Sequence, residues 1–414
     1  MNLLKYNRHW ENYKYPYQKR RFIFKELANE INTRQIVEIS GLRRTGKTTL
    51  LFQLINHLVE NSYNPFLLWY FTFDEEKLKL EELIHSFTKQ TQVDFKKNKV
   101  FIFLDEIQKL PDFQNQLKIY YDLYPTIKFF ISGSTSLFIK KKTQESLAGR
   151  LKSLFLMPLS FDEYLTFKDS SEILEKPHMF ESEIENNLQI FLNNQFIESL
   201  DLNDLNQKRD YYIGIMRKII FEDIPSIFSV NNPEILWQII RIIAQKPGLF
   251  IDYQNLANDI GLSNKTISSY LYYLEESFLV KKLYNFSRNR ITSEKKLKRY
   301  YLASPSFSWA LTEFVDIGRM VENLAASLKD YHFFWRDSYQ HEVDFIQIEK
   351  NNSIIPIEIK YKKQIQPKEL KNILLFAKKF DCKKAIIFKK GVDEKTTTFS
   401  LPEIEIIEKP VYKI

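Results

Sequence analysis

The stretch Gly41-Leu42-Arg43-Arg44-Thr45-Gly46-Lys47-Thr48 decides the reading of the chain. It satisfies the spacing G-x-x-x-x-G-K-[ST]. It follows a short apolar run, Gln35–Ser40, that reads as a strand. It precedes Thr48–Asn61, where Leu50, Leu51, Leu54, Ile55 and Leu58 recur at helical spacing. Glycines at both ends let backbone N–H groups curl around phosphate oxygens. The helix N-terminus adds free donors and a favourable dipole. In such a loop Lys47 reaches the β- and γ-phosphates and Thr48 ligates Mg²⁺. Thr49, next in the same turn, completes the phosphate-contacting set with Leu42 and Thr45, while Arg43 and Arg44 either add phosphate contact or are simply solvated. The chain has only nine glycines, so a glycine-framed loop in this context is informative.

Working outward, uninterrupted apolar strands alternate with helical segments. Phe66–Phe73, Val100–Leu104, Lys128–Ser132 and Ser153–Pro158 read as the remaining strands. That alternation predicts a parallel α/β sheet covered on both faces. Ligands of such sheets bind at the carboxyl ends of strands. The third strand ends there in Asp105-Glu106. Asp105 is placed to hold Mg²⁺ through water, and Glu106 to orient or activate the attacking water. Ser134, at the end of the fourth strand, is placed either to sense the γ-phosphate or to cap the next helix. Arg150, just before the fifth strand, is placed either to reach a neighbouring subunit's ATP or to form a structural ion pair. The first of these roles needs a homo-oligomer.

These residues resemble the AAA-type ATPase of a prokaryotic family that carries a C-terminal domain of unknown function. The likeness rests on Gly41–Thr48, Leu104-Asp105-Glu106-Ile107-Gln108 and Gly133-Ser134-Thr135. It continues through Leu147-Ala148-Gly149-Arg150 and Pro158-Leu159-Ser160-Phe161-Asp162-Glu163-Tyr164. The resemblance implies a P-loop ATPase domain over 1–160 and a helical lid over 161–246. The Gly-Gly-x-Pro turn usual in that family's lid is absent between Leu165 and Asp210, so no second sensor is assigned.

Behind the lid, Pro247-Gly248 punctuates the chain. Asp252 can cap a helix carrying Leu256, Ala257 and Ile260, Gly261 can turn it, and Ser263 can cap a second. This reads as a winged helix-turn-helix over 247–294, with Phe278-Leu279-Val280 and Leu283-Tyr284 beginning the wing. Lys265, Thr266, Ser268, Ser269 and Tyr272 suit phosphate and base-edge contact. The nearby Lys295, Lys296, Lys298 and Arg299 add to a basic surface.

The segment 295–414 reads as helix, strand, strand, helix, strand. Asp344 followed by Glu358-x-Lys360 resembles the core of PD-(D/E)xK nucleases, which have a restriction-endonuclease-like fold. In that reading Asp344 and Glu358 hold Mg²⁺, Lys360 orients water, and Glu322 adds a carboxylate.

Composition agrees with a folded chain of several domains: 414 residues, 44% hydrophobic and 27% charged. A net charge of +8 favours polyanions such as DNA. The single Cys382 excludes an internal disulfide, and the six histidines show no metal-ligand spacing. The basic N-terminus does not read as a secretory signal, and no apolar run is long enough to span a bilayer, so a cytoplasmic location without membrane contact is expected. The leading expectation is an ATP-dependent, DNA-acting protein. Its competitors are an ATP-gated regulatory switch that binds a protein or DNA partner without nuclease chemistry, and a translocase.

Overall fold

In the computed structural model, the described residues are 2–76, 78–134, 147–289, 293, 297–314, 316–400 and 403–414. Thr135, Lys295 and Lys296, named above, lie outside them. The chain divides into two compact units: Met1–Met157 with Glu276–Phe278, and Pro158–Glu275 with Leu279–Ile414.

The first unit is built on a five-stranded parallel sheet. Its strands are β1 (Ile36–Ser40), β2 (Leu68–Thr72), β3 (Val100–Asp105), β4 (Ile127–Gly133) and β5 (Leu151–Phe155). Their order across the sheet is β2-β3-β4-β1-β5. Every residue of β1, β3 and β4 is buried, which explains their unbroken apolar runs. Helix Lys47–Glu60 buries Leu50, Leu51, Leu54, Ile55 and Leu58. Trp69 on β2 stacks on Phe87 of helix Leu80–Thr91, with ring centroids 5.0 Å apart.

Strand β2 is the sheet's edge, a row of backbone groups that needs partners. The N-terminal segment supplies them. Asn7 Nδ2 donates to the Tyr70 carbonyl (3.0 Å), and the Tyr70 N–H donates to Asn7 Oδ1 (2.7 Å). His9 Nε2 and Trp10 Nε1 both reach the Leu68 carbonyl, at 2.9 and 3.0 Å. A carbonyl only accepts, so His9 carries its proton on Nε2. Burial lowers the His9 pKa from 6.5 to about 4. Between those values the unfolded chain binds a proton that the folded chain refuses. Stability therefore falls as pH drops from 6.5 toward 4, by about 3 kcal/mol in all. Thermal melts across this window should show a smaller loss in His9→Gln than in the wild type.

The second unit holds a nine-stranded mixed sheet flanked by helices. Its strands are β6 (Leu249–Ile251), β7 (Val280–Asn285), β8 (Lys298–Leu302), β9 (Phe333–Arg336), β10 (Glu342–Ile348), β11 (Ile354–Lys360), β12 (Lys384–Lys389), β13 (Lys395–Ser400) and β14 (Glu403–Pro410). Their order is β13-β14-β12-β11-β10-β9-β7-β8-β6. β8 pairs antiparallel with both β7 and β6. β7 also pairs in parallel with β9, at Tyr284↔Phe333, so one sheet runs across the boundary drawn at 294/295. Strands β13 and β14 extend the sheet past the last strand read from sequence. Among the described residues no helix is long and apolar enough to cross a membrane.

Candidate functional site

The loop 41–48 leaves β1 at the carboxyl edge of the first sheet. Gly41 has φ +153°, and a Cβ there would stand 2.3 Å from the Leu156 carbonyl oxygen. Only glycine lets the two backbones approach this closely. Gly46 is left-handed (φ +100°) and starts the helix. Buried Lys47 turns back over the loop, its Nζ donating to the Gly41 and Leu42 carbonyls at 3.0 Å each. Thr45 Oγ1 donates to the Leu42 carbonyl at 2.8 Å. Arg21 pins the loop from outside, with Nη1 donating to the Thr45 carbonyl (3.0 Å) and Nη2 to that of Met157 (2.8 Å). Arg43 and Thr49 are half-buried, and Arg44 is exposed.

The acids of β3 meet this loop. Asp105 Oδ2 accepts from Thr48 Oγ1 (2.6 Å) and from the Tyr70 hydroxyl (3.1 Å). Its Oδ1 accepts from Ser132 Oγ and from the Glu106 N–H. Glu106 is itself left-handed, with φ +51°, an uncommon conformation outside glycine. Its buried Oε2 accepts from Ser134 Oγ (3.1 Å) and from Gln108 Nε2, and Gln108 Nε2 also reaches Ser134 Oγ at 3.0 Å. Burial raises the Glu106 pKa; Lys47 opposes that rise and Asp105 adds to it.

Thr48 and Asp105 thus offer a hydroxyl and a carboxylate oxygen side by side. A Mg²⁺ ion shared with nucleotide phosphates uses such a donor set, keeping the rest of its shell for phosphate and water. Lys47, Thr48, Asp105, Glu106 and Ser134 lie in the same region of the first unit. Tyr70, Gln108, Ser132 and Arg21 were not anticipated as site residues. Only Gln108, two residues past Glu106, and Ser132, closing β4, had a positional signal.

Arg150 lies elsewhere. Its carbonyl accepts from the Ile36 N–H (2.8 Å) at the start of β1, whereas the loop leaves the end of that strand. Its guanidinium is held by Asp122, at 2.8 Å from Nε and 3.1 Å from Nη2. A strand's length therefore separates it from the loop of its own chain.

In the second unit, Asp344 on β10 and Glu358 and Lys360 on β11 gather near Glu322 of helix Ile317–Leu328. Their surroundings are not those of an open metal site. The guanidinium of Arg299 stands among the acids, its Nη2 2.6 Å from Glu322 Oε1 and its Nη1 3.5 Å from Asp344 Oδ1. Asp344 Oδ2 accepts from the Ile359 N–H at 2.9 Å. Glu358 Oε2 lies 2.8 Å from Lys360 Nζ. Tyr301 donates to Glu322. Burial, and then neighbouring Asp344, push the Glu358 pKa well up. Among the described residues no group of three His, Cys, Asp or Glu is arranged to hold a metal ion. A divalent cation does not fit this cluster as it stands, because a guanidinium already stands against Glu322 and Asp344.

Gly248 belongs to the same arrangement. Its carbonyl accepts from Arg299 Nε at 2.9 Å, and a Cβ there would meet Arg299, Glu322 and Tyr301 at 3.0 Å. Arg299 is therefore withdrawn from the basic surface that the sequence assigned it to; it is only 4% exposed.

Helices Tyr253–Ile260 and Asn264–Glu276 form with the caps read from the sequence. Asp252 accepts from the Asn255 N–H and Ser263 from the Thr266 N–H, with left-handed Gly261 between. On helix Asn264–Glu276, Ile267, Leu271 and Leu274 are buried, while Lys265, Ser268 and Tyr272 are exposed and Thr266 and Ser269 half-buried.

Three segments of the chain match known families. Residues 33–165 match the family described as an AAA domain. Residues 197–316 and 318–405 match two domains of unknown function, DUF8612 and DUF4143. Two uncharacterised proteins of Methanocaldococcus jannaschii are similar along most of their length. One is 26% identical, covering 86% of this chain and 85% of its own; the other is 25% identical, covering 87% and 84%. A solved structure of the replication initiator DnaA bound to AMPPCP and single-stranded DNA aligns with 64% of this chain and 91% of its own, at 15% identity and a TM-score of 0.31. The family match supports an AAA-type P-loop ATPase domain in the first unit.

Proposed function

We propose that the chain binds and hydrolyses ATP with Mg²⁺ in its first unit, and that ATP gates DNA binding by the winged helix of its second. One observation carries the ATPase reading: Asp105 joins Thr48 of the phosphate loop while buried Glu106, held by Ser134 and Gln108, stands beside it. Backbone N–H groups of 41–48 and Lys47 hold the phosphates. Thr48 and Asp105 hold the metal, which shields phosphate charge when bound. Glu106 orients water and takes its proton, a task suited to a carboxylate whose pKa is raised. Ser134 hydrogen-bonds Glu106, so its contact with the γ-phosphate would be felt directly at the base. Arg150 acts in trans only after leaving Asp122.

DNA is the partner favoured by the net charge of +8 and by the exposed Lys265, Ser268 and Tyr272 on one helix face. Between cleavage and binding, the pairing of Arg299 with Glu322 and Asp344 favours binding without metal-dependent nuclease chemistry. The test combines electrophoretic mobility shift with a nicking assay on supercoiled and linear DNA, using Mg²⁺ or Mn²⁺. The expected result is ATP-dependent binding, weakened about tenfold in Lys265→Glu, with no nicking. Nicking that disappears in Asp344→Ala would restore the nuclease reading. Absence of DNA binding with and without ATP would leave a protein partner as the switch's target.

A further inference from the structure

Of the groups around the phosphate loop, Tyr70 has no place in the motifs read from the sequence. It sits on β2, one strand outside β3, with Thr72 in register with Asp105. Its hydroxyl reaches across to donate to Asp105 Oδ2 at 3.1 Å, the same oxygen that accepts from Thr48 Oγ1 at 2.6 Å. Asp105 Oδ1 is meanwhile occupied by Ser132 and the Glu106 N–H. The carboxylate is thus fixed in rotation from both sides, and Tyr70 fixes the oxygen that faces the loop's hydroxyl.

Tyr70 is also unusually well held. Its backbone N–H and carbonyl are both clamped by the Asn7 side chain. Its ring lies against Phe52 of the loop's own helix, with centroids 4.6 Å apart, and Phe52 stacks on Tyr15 at 4.2 Å. The N-terminal segment therefore locks a tyrosine on the edge strand, and the tyrosine in turn locks the acid. A residue that served only the core would not need a buried hydroxyl aimed at a carboxylate.

We infer that Tyr70 is a positioning residue for the metal-holding carboxylate: it sets the orientation in which Asp105 Oδ2 and Thr48 Oγ1 jointly receive Mg²⁺, and the N-terminal segment is its support. This rests on the ATP-binding reading above. Tyr70→Phe keeps the ring, the Phe52 contact and the Asn7 clamp, and removes only the hydroxyl. Loss of a hydrogen bond to a charged acceptor corresponds to about a tenfold change in an equilibrium.

The test measures nucleotide affinity by titration with a fluorescent ATP analogue, with Mg²⁺ and with EDTA, and does not depend on turnover. In Tyr70→Phe the Mg²⁺ concentration needed for half-maximal tightening should rise about tenfold, while affinity in EDTA stays at the wild-type value. An unchanged Mg²⁺ requirement overturns the inference and leaves the ATP-binding reading intact. An equal loss of affinity in EDTA also overturns it, since that marks a general disturbance of the loop. Failure of the wild type to bind nucleotide at all would sink the ATP-binding reading, and this inference with it.

Discussion

Glu106→Gln should bind ATP as tightly as the wild type and hydrolyse it at least about 100-fold more slowly. The substitution is nearly isosteric, and its amide oxygen can accept the hydrogen bonds that Ser134 and Gln108 give to Oε2. Geometry is therefore retained, while the capacity to take a proton from water is lost. Lys47, Thr48 and Asp105, which hold the phosphates and metal, are untouched. Stability should not fall, because the change removes a carboxylate whose ionised form burial disfavours. The measurement is kcat beside the dissociation constant of a fluorescent nucleotide. A kcat within threefold of wild type, by about the size of an ordinary context effect, would show that Glu106 is not the base.

Arg299→Met should destabilise the second unit by about 3–5 kcal/mol, among the larger effects expected of one substitution. The guanidinium is 5% exposed and faces Glu322 and Asp344, so its loss strands two carboxylates in a low-dielectric interior. Burial raises the Glu322 pKa even with the cation present, and Arg299 opposes that rise. Without the cation the acids must protonate. The folded-state pKa then lies further above the unfolded value, so the variant's stability falls as pH rises through that range. Its deficit should be largest near neutral pH and shrink as pH approaches the ordinary carboxylate range. Urea unfolding at two pH values tests this, and Glu322→Gln added to Arg299→Met should recover part of the loss. A deficit that does not change with pH would mean that the guanidinium serves packing alone.

The two units differed in how far they could be read in advance. In the first, the phosphate loop and the parallel sheet announced themselves, because fully buried strands are apolar throughout and the loop's glycines sit where a strand becomes a helix. Asp105 and Glu106 followed from their place at a strand's carboxyl end. The clamp by Asn7, His9 and Trp10 did not, because it recognises backbone groups of β2 and leaves no periodicity. Tyr70 was one aromatic among several in an aromatic strand, and only register reveals that its hydroxyl reaches Asp105.

In the second unit, Asp344, Glu358 and Lys360 were legible as a set because strand alternation places Glu358 and Lys360 on one face. The ion pair of Asp344 with Arg299 was not. Arg299 stands in a Lys- and Arg-rich stretch that resembles a solvated surface, and the strand carrying it, Lys298–Leu302, becomes evident only through pairing with Val280–Asn285. Lys395–Ser400 is polar enough to read as loop and shows itself only through its pairing with Glu403–Pro410, whose alternating Ile404 and Ile406 did carry a strand signal.

The most direct test of the account is ATP hydrolysis by the purified 414-residue chain with Mg²⁺, wild type beside Lys47→Ala. Lys47 lies inside the phosphate loop, and its replacement removes the charge that meets the β- and γ-phosphates. The account predicts Mg²⁺-dependent phosphate release by the wild type and none above background in the variant, with both chains equally folded by circular dichroism. Phosphate release undiminished in Lys47→Ala, or a folded wild type that neither binds nor hydrolyses ATP, would contradict it.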